Sequence, residues 1–124
     1  MDSLKNPMID KGEFMNIQLF GTKKCQDTRK AERYFKERKI SYQFIDLTIK
    51  GLSKGELQSV QRFVNLKSLI DNQGKEYQKR NMQYIVHNTE DMLLQYPALF
   101  KTPIVRNGTV GATVGYCPDV WKEW

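Results

Sequence analysis

The stretch from Asn16 to Leu47 constrains the chain most, because it reads as strand, loop, helix and strand in close succession. "NIQLF" has strand character and stops at Gly21. Lys24 to Arg38 then sets Ala31, Tyr34, Phe35 and Arg38 on one side at helical spacing. "ISYQFIDL", Ile40 to Leu47, alternates apolar and polar residues with β-branched and aromatic members, as a strand does. Two strands joined across one helix lie parallel, linked by a right-handed crossover. The sequence therefore predicts an α/β domain that opens on a βαβ unit.

The middle, from Ser53 to about Pro97, reads as helical. "SKGELQSVQRFV" opens with a Ser N-cap and a Glu three residues on, the spacing of a capping box. "NTEDMLLQY" opens on Asn88 or Thr89, carries acids in its first turn and ends at Pro97. Between them "IDNQGKEYQKRN" reads as loop or frayed helix. In "TPIVRNGTVGATVGY" two short β-rich runs flank Asn107-Gly108, a strong hairpin signal, so a hairpin is expected to close the sheet. "PDVWKEW" reads as a final helical turn or two, which Trp121 and Trp124 fix onto the sheet. Residues 1–14 are polar without apolar periodicity and are expected to be a flexible N-terminal extension or added leader, with the domain running from 15 to 124.

A chain of 124 residues with 40% hydrophobic content suits one compact core and not two. Two cysteines are too few for a disulfide framework, and there is neither a signal-peptide pattern nor an apolar run of membrane-spanning length. These features imply a cytoplasmic protein without membrane partners, expected to be a monomer. The net charge of +6 invites a nucleic-acid reading. The charge is dispersed, however, and its densest cluster, Lys23, Lys24, Arg29, Lys30 and Arg33, brackets Cys25. That placement suggests a positive potential at one thiol more than a track for a phosphate backbone, so no direct nucleic-acid contact is expected.

Cys25 lies where a strand passes through a short loop into a helix, at or near the N-cap. Unpaired backbone N–H groups and the positive end of the helix dipole favour an anion there, and a thiolate is one. Lys23, Lys24 and Arg29 add to the effect, and the polar neighbours Gln26, Asp27 and Thr28 argue for exposure. Cys25 is thus the candidate nucleophile, with a depressed pKa. His87, the single histidine, has no second ligand at metal spacing and reads as a solvated loop residue; no metal site is expected. Asp46 and Asp27 read as a strand-end turn residue and a first-turn acid.

The order βαβ, helical insert, Thr-Pro and hairpin resembles the thioredoxin-like fold, with a mixed four-stranded sheet and a C-terminal helix. "GTKKCQDTRKAERYF" resembles the Cys-x-x-x-Arg-Lys-Ala opening of the ArsC/Spx/YffB family, the arsenate reductase-like proteins. "LFKTPIVRNG" followed by "VGY" is similar to that family's Arg-Pro-Ile-Val segment and to the Val-Gly-Tyr of Spx-type members. The likeness runs from about residue 16 to 124. It implies a cis Thr102–Pro103 peptide facing Cys25, and a candidate substrate- or anion-binding set of Lys23, Lys24, Arg29, Lys101, Thr102, Pro103 and Arg106.

The chain departs from the family at its cations. Where arsenate reductases of this family carry three arginines, the motifs place Asp71 or Asn72, Lys101 and Tyr116, and a lysine lacks the bidentate fork of arginine. Arg106 and Lys67 are the substitutes within the chain. This argues against arsenate. Spx regulators carry Cys-x-x-Cys where this chain has "CQDT", so Thr28 stands at the resolving position. Cys117, next to Tyr116, is a candidate resolving cysteine or else a buried strand-end residue. Two functions follow from the resemblance. One is a thiol oxidoreductase acting on an oxyanion or disulfide, with no bound cofactor and with glutathione or another low-molecular-weight thiol resolving the adduct. The alternative is an Spx-like module that binds RNA polymerase without catalysis.

Overall fold

The computed structural model describes residues 15–85 and 87–124. The expectation for residues 1–14 lies outside the described residues. Strand β1 is Ile17–Gly21, helix α1 Gln26–Glu37 and strand β2 Tyr42–Asp46. The insert holds α2 (Lys54–Gln61), α3 (Leu66–Leu69), α4 (Lys75–Lys79) and α5 (Thr89–Gln95), with 3-10 turns at Met82–Tyr84 and Pro97–Leu99. Strands β3 (Ile104–Asn107) and β4 (Gly111–Val114) and helix α6 (Pro118–Trp121) complete the chain. The four-stranded sheet has the order β2-β1-β3-β4. β1 pairs parallel with β2, Ile17 opposite Tyr42, and antiparallel with β3, Ile17 opposite Asn107. This is the thioredoxin-like, mixed-sheet architecture that the sequence predicts.

Period-two alternation in the strands sorts the core into two layers. Ile17 and Leu19 of β1 and Val105 of β3 pack with Ala31, Tyr34 and Phe35 of α1 and with Trp121 of α6. Phe20 and Ile104 point to the opposite face, where the insert supplies Leu57, Val60, Leu69, Met82, Leu93, Leu99 and Phe100. Each fully buried side chain of this size stabilises by about 1.5–3 kcal/mol, so both layers are needed to hold the sheet. Arg38, placed by periodicity on the apolar side of α1, is exposed and lays its guanidinium 3.8 Å above the Tyr34 ring.

Local signals account for the element ends. Ser53 accepts from the Glu56 N–H at 3.1 Å while Glu56 accepts from the Ser53 N–H at 2.8 Å, the reciprocal cap of α2. Asn88 caps α5 through the Asp91 N–H at 3.0 Å. "IDNQGKEYQKRN" is part helix, since Lys75–Lys79 closes one turn after an Asp71 side-chain turn. The hairpin differs in detail from its sequence signal. Asn107 is the last residue of β3, and its Oδ1 accepts the Asn16 N–H at 3.2 Å. The loop is therefore Gly108 to Val110, entered by Gly108 at φ +48°. Trp121 donates Nε1–H to Thr113 Oγ1 at 2.8 Å, which docks α6 on β4.

Candidate functional site

The chain leaves the carboxyl end of β1 through Thr22 to Lys24, and Cys25 takes extended angles (φ −78°, ψ 121°) as the N-cap of α1. Its N–H donates to the Thr22 carbonyl and its own carbonyl accepts the Arg29 N–H, each at 3.1 Å. The residue is thus pinned on both sides, and its side chain is half-buried. The thiol donates to the carbonyl of Thr102 across 3.6 Å. Thr102–Pro103 is cis, and it brings the turn before β3 against the Cys25 loop, as the resemblance implies.

Opposing influences act on the Cys25 proton. Burial, the largest, raises the pKa. Against it stand side-chain hydrogen bonding with Thr102 and with Thr28, and the backbone N–H groups of Thr28 and Asp27; the balance falls below the ordinary thiol value. The neutral sulfur accepts no cap hydrogen bond. The N–H groups act on the thiolate, which is the better acceptor. Thr28 is fully buried, and its Oγ1 has no hydrogen-bond partner. An ionised Cys25 sulfur is the acceptor that this hydroxyl lacks. The close fit starts at Gly21, where an added Cβ would lie 2.5 Å from Thr28 Oγ1. Sequence reasoning placed Thr28 at a vacant resolving position and missed this role. Its signal was its place three residues after an N-cap, where side chains turn back over the helix start.

The expected cations are only partly assembled. Lys23 and Lys24 are exposed on the Cys25 loop. Arg29 donates Nη1–H to the Lys23 carbonyl at 2.7 Å, which ties the loop to α1. Lys101 is exposed beside Thr102, its N–H held by the Leu69 carbonyl at 2.7 Å. Arg106 is not brought to Cys25, contrary to expectation. It alternates onto the insert face of β3 and donates to Gln18 Oε1 at 2.9 Å, Ser59 Oγ at 3.2 Å and the Gly108 carbonyl at 3.4 Å. Gln18 lies toward the start of β1, while Cys25 follows its end, so the guanidinium serves the far end of the sheet. Lys30 and Arg33 line a separate cleft of about 300 Å³ with Tyr116 on the outer side of α1.

Cys117 caps α6 and is half-buried, and its thiol donates to the Val114 carbonyl at 3.3 Å. Burial first, and the Asp27 carboxylate second, push its pKa up, against a hydrogen bond with Thr113. Asp46 closes a turn as expected, accepting from the Thr48 N–H at 2.9 Å and hydroxyl at 2.7 Å; those bonds, joined by Lys23, hold its carboxyl below the usual range. His87 departs from the solvated reading: it is half-buried, and its Nδ1 is buried without a partner. Among the described residues no group of His, Cys, Asp or Glu is arranged to hold a metal ion, and no helix is long and apolar enough to cross a membrane.

The arrangement is a thiol more readily ionised than an ordinary one, half-exposed, beside a turn that offers backbone groups. It can attack electrophilic sulfur or an oxyanion centre. The comparisons agree with this architecture. The model of the ArsC family matches residues 20–124. Among solved structures, a protein from Bacteroides fragilis described as related to the ArsC family is 18% identical over 88% of this chain and 97% of its own, with a TM-score of 0.77. The YFFB protein is 22% identical over 87% and 97%, at a TM-score of 0.75. An arsenate reductase from Vibrio cholerae is 18% identical over 88% and 97%, at 0.73. At these identities the likeness carries the fold and not the activity. No curated protein matches the chain.

Proposed function

The chain belongs to the ArsC family, and from that premise we propose that it is a thiol oxidoreductase in which Cys25 is the one nucleophile and disulfide sulfur the electrophile. The observation that carries this reading is the N-cap position of Cys25, half-exposed and with its pKa lowered in spite of burial. The Cys25 thiolate attacks one sulfur of a disulfide R–S–S–R′. A Cys25–S–S–R bond forms, the S–S bond of the substrate breaks, and R′S⁻ leaves and takes a proton from water. A second thiolate, from a low-molecular-weight thiol of the glutathione kind, then attacks the adduct. The attack falls on the R sulfur, so the Cys25–S–S–R bond breaks, Cys25 departs as thiolate and a mixed disulfide of R with the small thiol is left. Exchange of that product with a second small thiol releases R–S⁻, so two small thiols are oxidised for each disulfide reduced.

The same groups serve both steps. Asp27 N–H, Thr28 N–H and the Thr28 hydroxyl stabilise the sulfur when it attacks and again when it leaves. Lys23 and Lys24 add a positive potential, weakened by their exposure. The Thr102 carbonyl holds the resting thiol proton and lies where an extended substrate passes.

Arsenate suits the site poorly. Arg106 is committed elsewhere, Arg29 is bound to the loop, and Asp71 is a carboxylate where an oxyanion needs a cation. The test is turnover of 2-hydroxyethyl disulfide, and separately of arsenate, with reduced glutathione as the electron source. The reading predicts disulfide reduction that Cys25→Ser abolishes and that Cys117→Ser leaves in place, with no measurable arsenate reduction. No disulfide turnover by the wild-type protein overturns it and favours the regulator-like alternative, a scaffold that binds RNA polymerase.

A further inference from the structure

We propose that the groove beside Cys25 selects disulfides whose thiol half carries an ammonium group, and that the Asp71 carboxylate reads that charge; the inference rests on the reading of Cys25 as nucleophile. The groove has a volume of about 240 Å³, and Thr22, Thr102, Leu47, Pro97, Phe100 and Asp71 are among its walls. It lies beside the Cys25 loop, because the two residues whose carbonyls hold Cys25, Thr22 through its N–H and Thr102 through its thiol, are also wall residues. Its size is below that of pockets for drug-sized ligands and suits a thiol of a few heavy atoms.

Asp71 is fixed in place as a groove wall. Its N–H donates to the Leu99 carbonyl at 2.8 Å, its carbonyl accepts the Gly74 N–H at 3.1 Å, and its Oδ1 accepts the Gln73 N–H at 3.2 Å. A Cβ at position 74 would lie 2.7 Å from Oδ2, so the glycine leaves the carboxylate its room. Among the described residues no cation pairs with Asp71. Asp71 is thus an unpaired acid in a wall shared with Leu47, Pro97 and Phe100, and nearby apolar side chains weaken screening of its charge by water.

The lysines do not cancel it. Lys23 and Lys24 line an adjoining hollow of about 250 Å³ on the other side of Thr22 and Thr48, where Asp46 accompanies them. Both lysines are exposed and screened by salt. The two signs are thus separated between adjoining hollows, with the carboxylate in the one that Leu47, Pro97 and Phe100 wall. An ammonium two bonds from the sulfur-bearing carbon fits that hollow. A carboxylate in the same place meets Asp71 as a like charge.

The experiment follows adduct formation at Cys25 by intact mass, with the wild-type protein and one disulfide at a time at neutral pH. Cystamine supplies the cation, 2-hydroxyethyl disulfide the neutral case and dithiodiglycolate the anion. Each rate is divided by the rate of that disulfide with free cysteine. The normalised preference for cystamine over dithiodiglycolate is expected to be about tenfold, to fall to about one in Asp71→Asn, to persist in Asp71→Glu, and to shrink in high salt. Equal rates, faster reaction of the anion, or an unchanged preference in Asp71→Asn overturn the inference and leave Cys25 as nucleophile. No adduct with any of the three overturns that underlying reading, and the inference with it.

Discussion

Cys25 at the start of α1 donates its thiol proton to the carbonyl of Thr102, 77 positions away in sequence, at a sulfur-to-oxygen distance of 3.6 Å. The carbonyl holds the proton, while the groups that favour the anion are the Thr102 side chain, Thr28 Oγ1 and the N–H groups of Thr28 and Asp27. Loss of the proton turns an idle hydroxyl into a hydrogen-bond donor.

Thr28→Val separates stability from reactivity. Valine keeps the shape and removes a buried, unpartnered oxygen, whose desolvation costs about 1–3 kcal/mol. Chemical denaturation at pH 6 should show stability equal to or above that of the wild type. The pH midpoint for iodoacetamide alkylation of Cys25 should rise. A lower stability with an unshifted midpoint would mean that Thr28 only fills space.

Gly21→Ala tests the same contact from the strand. Its Cβ would lie 2.5 Å from Thr28 Oγ1 and 2.6 Å from Cγ2, and neither atom is at the end of a flexible chain. Denaturant titration should show a loss of about 1–3 kcal/mol. Adding Thr28→Ala should recover most of the packing loss, a coupling that a double-mutant cycle measures.

Much of this fold was legible because its signals are local. The βαβ unit is written in the alternation of Tyr42 to Asp46 and in the spacing of Ala31, Tyr34 and Phe35, and the capping box at Ser53 marks α2 outright. The site was legible only in part. Cys25 is set by its own neighbours in sequence, whereas the fate of each arginine is a tertiary matter. Arg106 looks free in the sequence, but β3 alternation turns it toward Ser59. Arg29 looks like a substrate ligand, but the Lys23 carbonyl takes it. Asp71 was visible only as a missing arginine, since its surroundings depend on Leu47 meeting Pro97 and Phe100 from a separate segment.

Trp121 should be the costliest apolar residue to truncate. It is 1% exposed, its ring centroid lies 5.1 Å from that of Phe35 and 5.2 Å from that of Tyr34, and its Nε1–H reaches Thr113. Trp121→Ala should cost about 3–5 kcal/mol in denaturant unfolding. Trp121→Phe keeps the ring contacts, strands the Thr113 hydroxyl and should cost less.

Cys117 should stay out of the redox cycle. Its raised pKa keeps it protonated at neutral pH, and a thiol attacks disulfides only as thiolate. Diamide treatment followed by peptide mass mapping should find small-thiol or intermolecular adducts at Cys25 and no Cys25–Cys117 bond. A prompt intramolecular linkage would assign Cys117 the resolving role. The two cysteines also tilt stability in opposite senses. The Cys117 contribution is complete below the ordinary thiol pKa and lost as pH rises through its raised value. The Cys25 contribution is complete above the ordinary value and lost as pH falls through its lowered one.

The thiolate titration of Cys25 tests the central claim most directly. Absorbance at 240 nm is followed against pH for the Cys117→Ser protein, with the Cys25→Ser, Cys117→Ser double variant subtracted to remove tyrosine. The account predicts a single transition with its midpoint below that of free cysteine, about 8.5, at a pH where the fold is intact by circular dichroism. A midpoint at or above that value would contradict it, because a thiol that is no more acidic than free cysteine is not set up by its helix, by Thr28 or by Thr102 to act as the nucleophile.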